Sequence, residues 1–197
     1  NAAGTAASVN GIKGIYALNS TGLLIGGTTA AERNVVSGNA EQGIYFDNVD
    51  NSTISGNYVG TNAAGTGDVN GAVANTAQSG VFLTNGSSGN VIGGTTTGSR
   101  NVLSGNNHFG FEVLVGSQNN LLQGNYIGTD ASGLVALGNI NGGAVFWGAG
   151  TGNVFGGSTA GARNVIAGST FNGVGAGNAS TGATIQGNYI GVGADGV

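Results

Sequence analysis

The chain has 197 residues, 43 of them glycine and 26 asparagine, no proline, cysteine or methionine, and a net charge of −4 from four basic and eight acidic side chains. This is the length of one ordinary domain, its 39% hydrophobic content separates it from disordered chains, and so few cations cannot build a nucleic-acid surface. No apolar run is long enough for membrane insertion, the lack of cysteine excludes disulfides and thiolate metal sites, and a start on Asn1 without signal-peptide patterning is expected of a processed product or an excised piece.

In chain order, the first predicted strand follows Gly14 in "GIYALN", a second is "LLIGG" ending at Gly27, and "RNVVSGN" occupies Arg33 to Asn39. A second round begins at Gly43 with "GIYFDN", continues through "STISGN" and closes on "GNYVG" at Gly56 to Gly60. Residues 62–129 then repeat the plan: "NAAGT" at Asn62, "GVFLTN" at Gly80, "NVIGG", "RNVLSGN" at Arg100, "GFEVLV" at Gly110, "NLLQGN" and "GNYIG" at Gly124. Residues 130–192 do so again with "DASGL", "GAVFWG" at Gly143, "NVFGG", "RNVIAGS" at Arg163, "GVGAGN" at Gly173, "ATIQGN" and "GNYIG" at Gly187.

Three marker phrases keep the same spacing through the chain, at Ile25, Ile92 and Phe155, at Arg33, Arg100 and Arg163, and at Gly56, Gly124 and Gly187. The chain is therefore one domain, 1–197, made of repeats 1–61, 62–129 and 130–192 with a fourth beginning at 193–197. Each long repeat holds two shorter ones, led by Gly14 and Gly43, by Gly80 and Gly110, and by Gly143 and Gly173. After each of these glycines the first and third residues are apolar: Ile15 and Ala17, Ile44 and Phe46, Val81 and Leu83, Phe111 and Val113, Ala144 and Phe146, Val174 and Ala176. Period-2 alternation marks a strand with one buried face. The second strands place Ile25, Ile54, Ile92, Leu122, Phe155 and Ile185 in equivalent positions. An all-β solenoid of six to seven coils follows. Its corners put Asn19, Asn48, Asn85 and Asn178 in register, where an asparagine ladder can satisfy turn backbone.

The phrases at Asn34 to Asn39, Asn101 to Asn106 and Gly124 to Asp130 resemble the right-handed parallel β-helix repeat proteins of pectate-lyase-like fold, in particular the tandem arrays of large secreted bacterial surface proteins. That resemblance covers the whole chain. It implies a right-handed parallel β-helix, an extracellular or cell-surface location and, because the fold serves many ends, either a passive structural stalk or a polysaccharide-active protein.

For catalysis the candidate acids are Asp47 and Asp50 in one corner and Glu112 two coils on, read as solvated residues, while the sole histidine, His108, reads as a loop residue. Arg33, Arg100 and Arg163 share one repeat position and are expected to donate to carbonyls of their own "GGTTAAE", "GGTTTGS" or "GGSTAGA" loops. The outward residues of the first strand are Tyr16, Tyr45, Phe82, Glu112, Val145 and Gly175, with Leu114 and Trp147 two positions further along. Tyr16, Tyr45, Phe82 and Trp147 form an exposed contact stripe. The expected function is a non-enzymatic rod, stalk or filament segment without cofactor or metal. It associates end to end or continues in a longer array, since "NAAGT" at Asn1, "NAAGT" at Asn62, "DASGL" at Asp130 and "GADGV" at Gly193 share one phase. The alternative is a protein that binds or cleaves polysaccharide.

Overall fold

A computed structural model describes residue 8, residues 10–70 and residues 78–197; the phrase at Asn1 to Thr5 lies outside them. The described chain winds as a parallel β-helix of six coils, in the right-handed sense that parallel connections take. Sheet 1 is the stack of β1 (Ile15–Thr21), β4 (Ile44–Asp50), β7 (Val81–Thr84), β10 (Phe109–Leu114), β13 (Gly142–Trp147) and β16 (Asn172–Gly177). Sheet 2 stacks β2 (Leu24–Gly26), β5 (Thr53–Ser55), β8 (Val91–Gly93), β11 (Leu121–Gln123), β14 (Val154–Gly156) and β17 (Thr184–Gln186). Sheet 3 is built from two-residue strands: β3 (Val35–Val36), β6 (Tyr58–Val59), β9 (Val102–Leu103), β12 (Tyr126–Ile127), β15 (Val165–Ile166) and β18 (Tyr189–Ile190).

The alternating residues point inward and stack in register. Ile44, Val81, Phe111 and Ala144 form one fully buried row and Phe46, Leu83, Val113 and Phe146 another. Sheet 2 adds Ile54, Ile92, Leu122 and Phe155, and sheet 3 adds Val59, Leu103, Ile127 and Ile166. Phe155 lies 5.4 Å from Phe111 and 4.0 Å from Phe146, filling the room left by Ala144 between those two coils. On coil 6, which has a neighbour on one side only, Val174 is half-buried and Ala176 and Ile185 are exposed, so the inward rows open there.

The leading glycine of each coil has a steric cause. A Cβ on Gly43 would lie 2.5 Å from Val59 Cγ1 and 2.8 Å from the Gly80 carbonyl oxygen; one on Gly143 would lie 2.3 Å from Ile166 Cγ2 and 2.5 Å from the Gly173 carbonyl oxygen. Only glycine leaves room for the sheet 3 side chain of its own coil and the backbone of the next.

Asparagine ladders, buried along their length and opening only at Asn34 and Asn188 in the end coils, fasten the corners. Asn34, Asn57, Asn101, Asn125, Asn164 and Asn188 occupy one corner in all six coils, each Nδ2 donating to the next Oδ1 at 2.9–3.2 Å. The backbone N–H of each donates to the same Oδ1, and each Nδ2 from Asn57 onward also reaches a sheet 2 carbonyl of the preceding coil, as Asn101 does to Ile54 at 2.9 Å. A shorter ladder runs through Asn90, Asn120 and Asn153 and another through Asn70, Asn106 and Asn139. The predicted corner residues Asn19, Asn48, Asn85 and Asn178 have φ of 48–53°, the left-handed turn that asparagine tolerates, but all four are exposed. Asn48 donates to Asn19 at 2.8 Å, whereas Asn85 donates to Asp47. The continuous buried ladders therefore lie at other corners, because those corners face the core and these face solvent.

The arginines correct a second expectation and account for the two-coil period. Arg33, Arg100 and Arg163 donate from Nε to the carbonyls of Gly56, Gly124 and Gly187, on the following coil and not in their own loops. Each guanidinium also stacks 4.0–4.1 Å from the ring centroid of Tyr58, Tyr126 or Tyr189. The "RN" of an odd coil and the "GNY" of the next even coil are thus two halves of one contact. The preceding loops are closed by other means, Glu32 accepting from Thr28 N, Thr29 N and Thr29 Oγ1 at 2.9 Å and Ser99 bonding to Thr96.

After each "GNY" a loop folds back over the tyrosine. In the second, Asp130 Oδ1 accepts from Ser132 N, Ser132 Oγ, Leu134 N and Val135 N at 2.6–3.3 Å. Burial raises the Asp130 pKa, but the Ser132 hydroxyl and the backbone donors outweigh it and hold it below the ordinary aspartate value. A depressed folded pKa contributes stability that is present above the unfolded value of ~3.9 and is lost as pH falls through the folded one. Asp130→Asn should therefore flatten the acid limb of the stability profile below about pH 4, measured by thermal melts across a pH series.

Removing the Asn101 amide strands the Asn57 backbone N–H in a dry corner and takes one donor from the Ile54 carbonyl, while Asn57 Nδ2 keeps the Ile25 and Ser55 carbonyls. Asn101→Ala should cost about 2 kcal/mol, whereas Asn85→Gly, which keeps the left-handed turn, should stay within about 0.5 kcal/mol of wild type. Denaturant midpoints of the two variants check the difference.

Candidate functional site

The outer face of sheet 1 carries the predicted stripe. Tyr16, Tyr45, Phe82, Glu112, Val145 and Gly175 are consecutive in register across the six coils. Tyr16 packs edge-on to Tyr45 at 5.5 Å and Tyr45 stacks on Phe82 at 5.0 Å, with ring planes within 8°. Tyr16 is 53% exposed, and Tyr45 and Phe82 are half-buried. Lys13 Nζ stands 4.7 Å from the Tyr45 centroid and 5.6 Å from that of Tyr16, held by an ion pair with Glu41 at 2.6 Å. Burial first, then the nearby Asp47, Tyr16 and Glu41, raise the Tyr45 phenol pKa above its usual value.

The stripe does not continue as an open surface. Glu112 and Val145 are 2% and 1% exposed. Phe109 and Trp147 stand at opposite ends of the β10–β13 pair, yet their ring centroids are 5.3 Å apart at 85°, so the two rings reach toward each other across the face and cover what lies between. His108 packs edge-on against Phe109 at 4.5 Å. Trp147 itself is 37% exposed, beside Gly177 of β16.

Glu112 is therefore not the solvated acid expected from the sequence, while His108 lies in the loop ahead of β10, as expected, and is bonded there. His108 Nδ1 lies 2.5 Å from Glu112 Oε1 and 3.1 Å from Ser79 Oγ, and Ser79, just ahead of β7, also donates to Glu112 Oε1. A carboxylate placed between Phe82 and Val145 in the register must find partners when rings close over it, and a neighbouring hydroxyl and imidazole supply them. That in-register apolar setting was the signal available in the sequence. The arrangement is not a nucleophile relay: serine and glutamate meet the same imidazole nitrogen, and Ser79 is 1% exposed. It works as a latch tying the entry to β7 onto β10.

The other acids have structural partners of their own. Asp47 Oδ1 accepts from Asn85 Nδ2 at 2.8 Å, and Asp50 Oδ1 accepts from Ser88 N at 2.8 Å. Among the described residues no three His, Cys, Asp or Glu side chains are grouped to hold a metal ion, and no helix is long and apolar enough to cross a membrane. Comparisons with protein-family models, with curated proteins and with solved structures found no match.

Glu112→Ala should lower stability by about 2 kcal/mol, since Ser79 and His108 lose their acceptor inside a covered site, while Glu112→Gln should cost less because an acceptor oxygen remains. Chemical denaturation followed by Trp147 fluorescence reports both the midpoint and any opening of the ring cover.

Proposed function

We propose that this chain is a stiff structural rod, a spacer in a secreted or surface-displayed protein whose work is mechanical. The observation that carries the reading is the ladder from Asn34 to Asn188, which passes through all six coils without a break. At about 4.8 Å per coil the stack rises by roughly 29 Å. A rod must resist bending between coils, and each interface here combines three parallel strand pairings, apolar rows and amide-to-amide bonds.

The alternation of coil types supports end-to-end continuation. Coil 6 is of the even, tyrosine-bearing kind and coil 1 of the odd, arginine-bearing kind, so coil 1 of a second copy set on coil 6 would repeat the even-to-odd junctions already present between coils 2 and 3 and coils 4 and 5. Coil 6 offers the free edges of β16, β17 and β18 with Ile185 44% and Ile190 46% exposed. Such a head-to-tail surface propagates without closing.

Small-angle scattering over a concentration series tests the reading. The expected result is a cross-section that stays constant while the maximum dimension grows with concentration, and Ile185→Asp should abolish the growth with the circular dichroism spectrum unchanged. A globular particle of fixed size at every concentration would count against it.

A further inference from the structure

The outer face of sheet 3 holds a feature that the rod reading does not use. Val35, Tyr58, Val102, Tyr126, Val165 and Tyr189 are consecutive in register there, which sets Arg33, Arg100 and Arg163, each two positions ahead of its valine, in a single row. Every one is fixed by a tyrosine ring and by an Nε bond to a glycine carbonyl. Neither contact neutralises the guanidinium. The ion pairs among the described residues join Lys13 to Glu41 and His108 to Glu112, and none involves an arginine. Glu32, adjacent in sequence to Arg33, directs Oε2 to Thr28 and Thr29, and Asp130 Oδ1 takes its four donors from its own turn. Three immobilised cations therefore stand two coils apart, about 9–10 Å. Between Arg33 and Arg100 lies a cavity of about 150 Å³ walled by Tyr58, Thr97, Val102 and Ala131.

We propose that this row binds a linear acidic glycan in which a carboxylate recurs once per disaccharide. A guanidinium fork receives a carboxylate through two parallel hydrogen bonds, and side chains already locked by stacking lose little freedom when they do so. Charge density selects the ligand class. Phosphodiester chains carry charge far more closely than one per two coils, about one per 1.7 Å along duplex DNA, and three arginines in a chain of net charge −4 cannot neutralise them. A glycan alternating a uronate with a neutral sugar spaces its anions by two sugar units, which is commensurate with the two-coil spacing. The tyrosine and alanine walls of the cavity suit the apolar face of a sugar ring, and Thr97 offers it a hydroxyl.

The test is a titration of the whole ¹⁵N-labelled chain with hyaluronan oligosaccharides, an alternating uronate glycan, following the arginine Nε–Hε signals. The expected result is that the Arg33 and Arg100 signals move together, that an octasaccharide binds at least about tenfold more tightly than a disaccharide because only the longer chain carries carboxylates for more than one arginine, and that added salt weakens both. Arg100→Lys, which keeps the charge but loses the fork and the Nε bond to Gly124, should weaken octasaccharide binding at least about fivefold at a temperature where its circular dichroism matches wild type; should that variant not fold, the wild-type titration decides alone. No movement of any arginine signal at excess glycan would overturn the proposal. So would movement without length dependence, or tighter binding of inorganic polyphosphate or of a neutral chitin oligosaccharide.

Discussion

The constraint on which the molecule depends is that a coil closing on itself every 23 to 44 residues must bury its corners, and buried corners strand backbone N–H and C=O groups. Asparagine resolves this because one amide both accepts and donates. In this ladder each Oδ1 from Asn57 to Asn188 receives a backbone N–H and an Nδ2 from one neighbouring coil, and each Nδ2 from Asn57 to Asn164 bonds the coil on either side. The apolar rows provide most of the driving force and resist a one-residue slip, which would turn their side chains outward. The amides add a second check, since only one register brings each Oδ1 to its donors. Packing holds the coils together and the ladders say which coil position meets which.

The second level of order is the two-coil period, and it has a separate cause. Ladders and leading glycines recur on every coil, so by themselves they would permit a simple one-coil repeat. Arginine on one coil stacked against tyrosine on the next requires two kinds of coil in alternation. The loops after each "GNY" reinforce this, for the Ala131 N–H bonds to the Gly65 carbonyl and that of Ala194 to Gly133, reaching across two coils at 2.8 and 2.9 Å. Long loops emerge where the next coil has none and pack over it. Variable loop length, visible as the uneven spacing of Arg33, Arg100 and Arg163 along the chain, leaves these contacts unaltered.

Most of the fold was legible because strands with one buried face alternate, and the Ile44 to Ala144 and Phe46 to Phe146 rows lie where that alternation puts them. Sheet 3 was legible only at the Arg-Asn phrase, which reads as a strand and corner on every second coil, since strands of two residues, such as Val59 beside Tyr58, are too short to carry a period. Asparagine content announced ladders, but "SGN" and "RN" give no indication of which corner faces inward; Asn85 is exposed and Asn101 buried. The stripe of Tyr16, Tyr45 and Phe82 followed from parity alone. The cover over Glu112 depends on where the Phe109 and Trp147 rings meet, and parity carries no information on side-chain reach. The Gly56 carbonyl that receives Arg33 lies 23 residues on, one coil away and beyond any local reading.

A stack built this way has equivalent interfaces between successive coils, and its outer faces are free to differ from coil to coil. The aromatic latch on sheet 1 and the arginine row on sheet 3 are two such variations on one frame. The central claim is that the buried amides are structural bonds that open only when the coils separate. Hydrogen exchange of side-chain amides measures this directly. The account predicts that the Nδ2 protons of Asn57, Asn101, Asn125 and Asn164 exchange only through global unfolding, while those of Asn85 exchange at the rate of a solvent-exposed amide. Rapid exchange of the Asn101 amide under native conditions, with the sheet 2 backbone still protected, would contradict it.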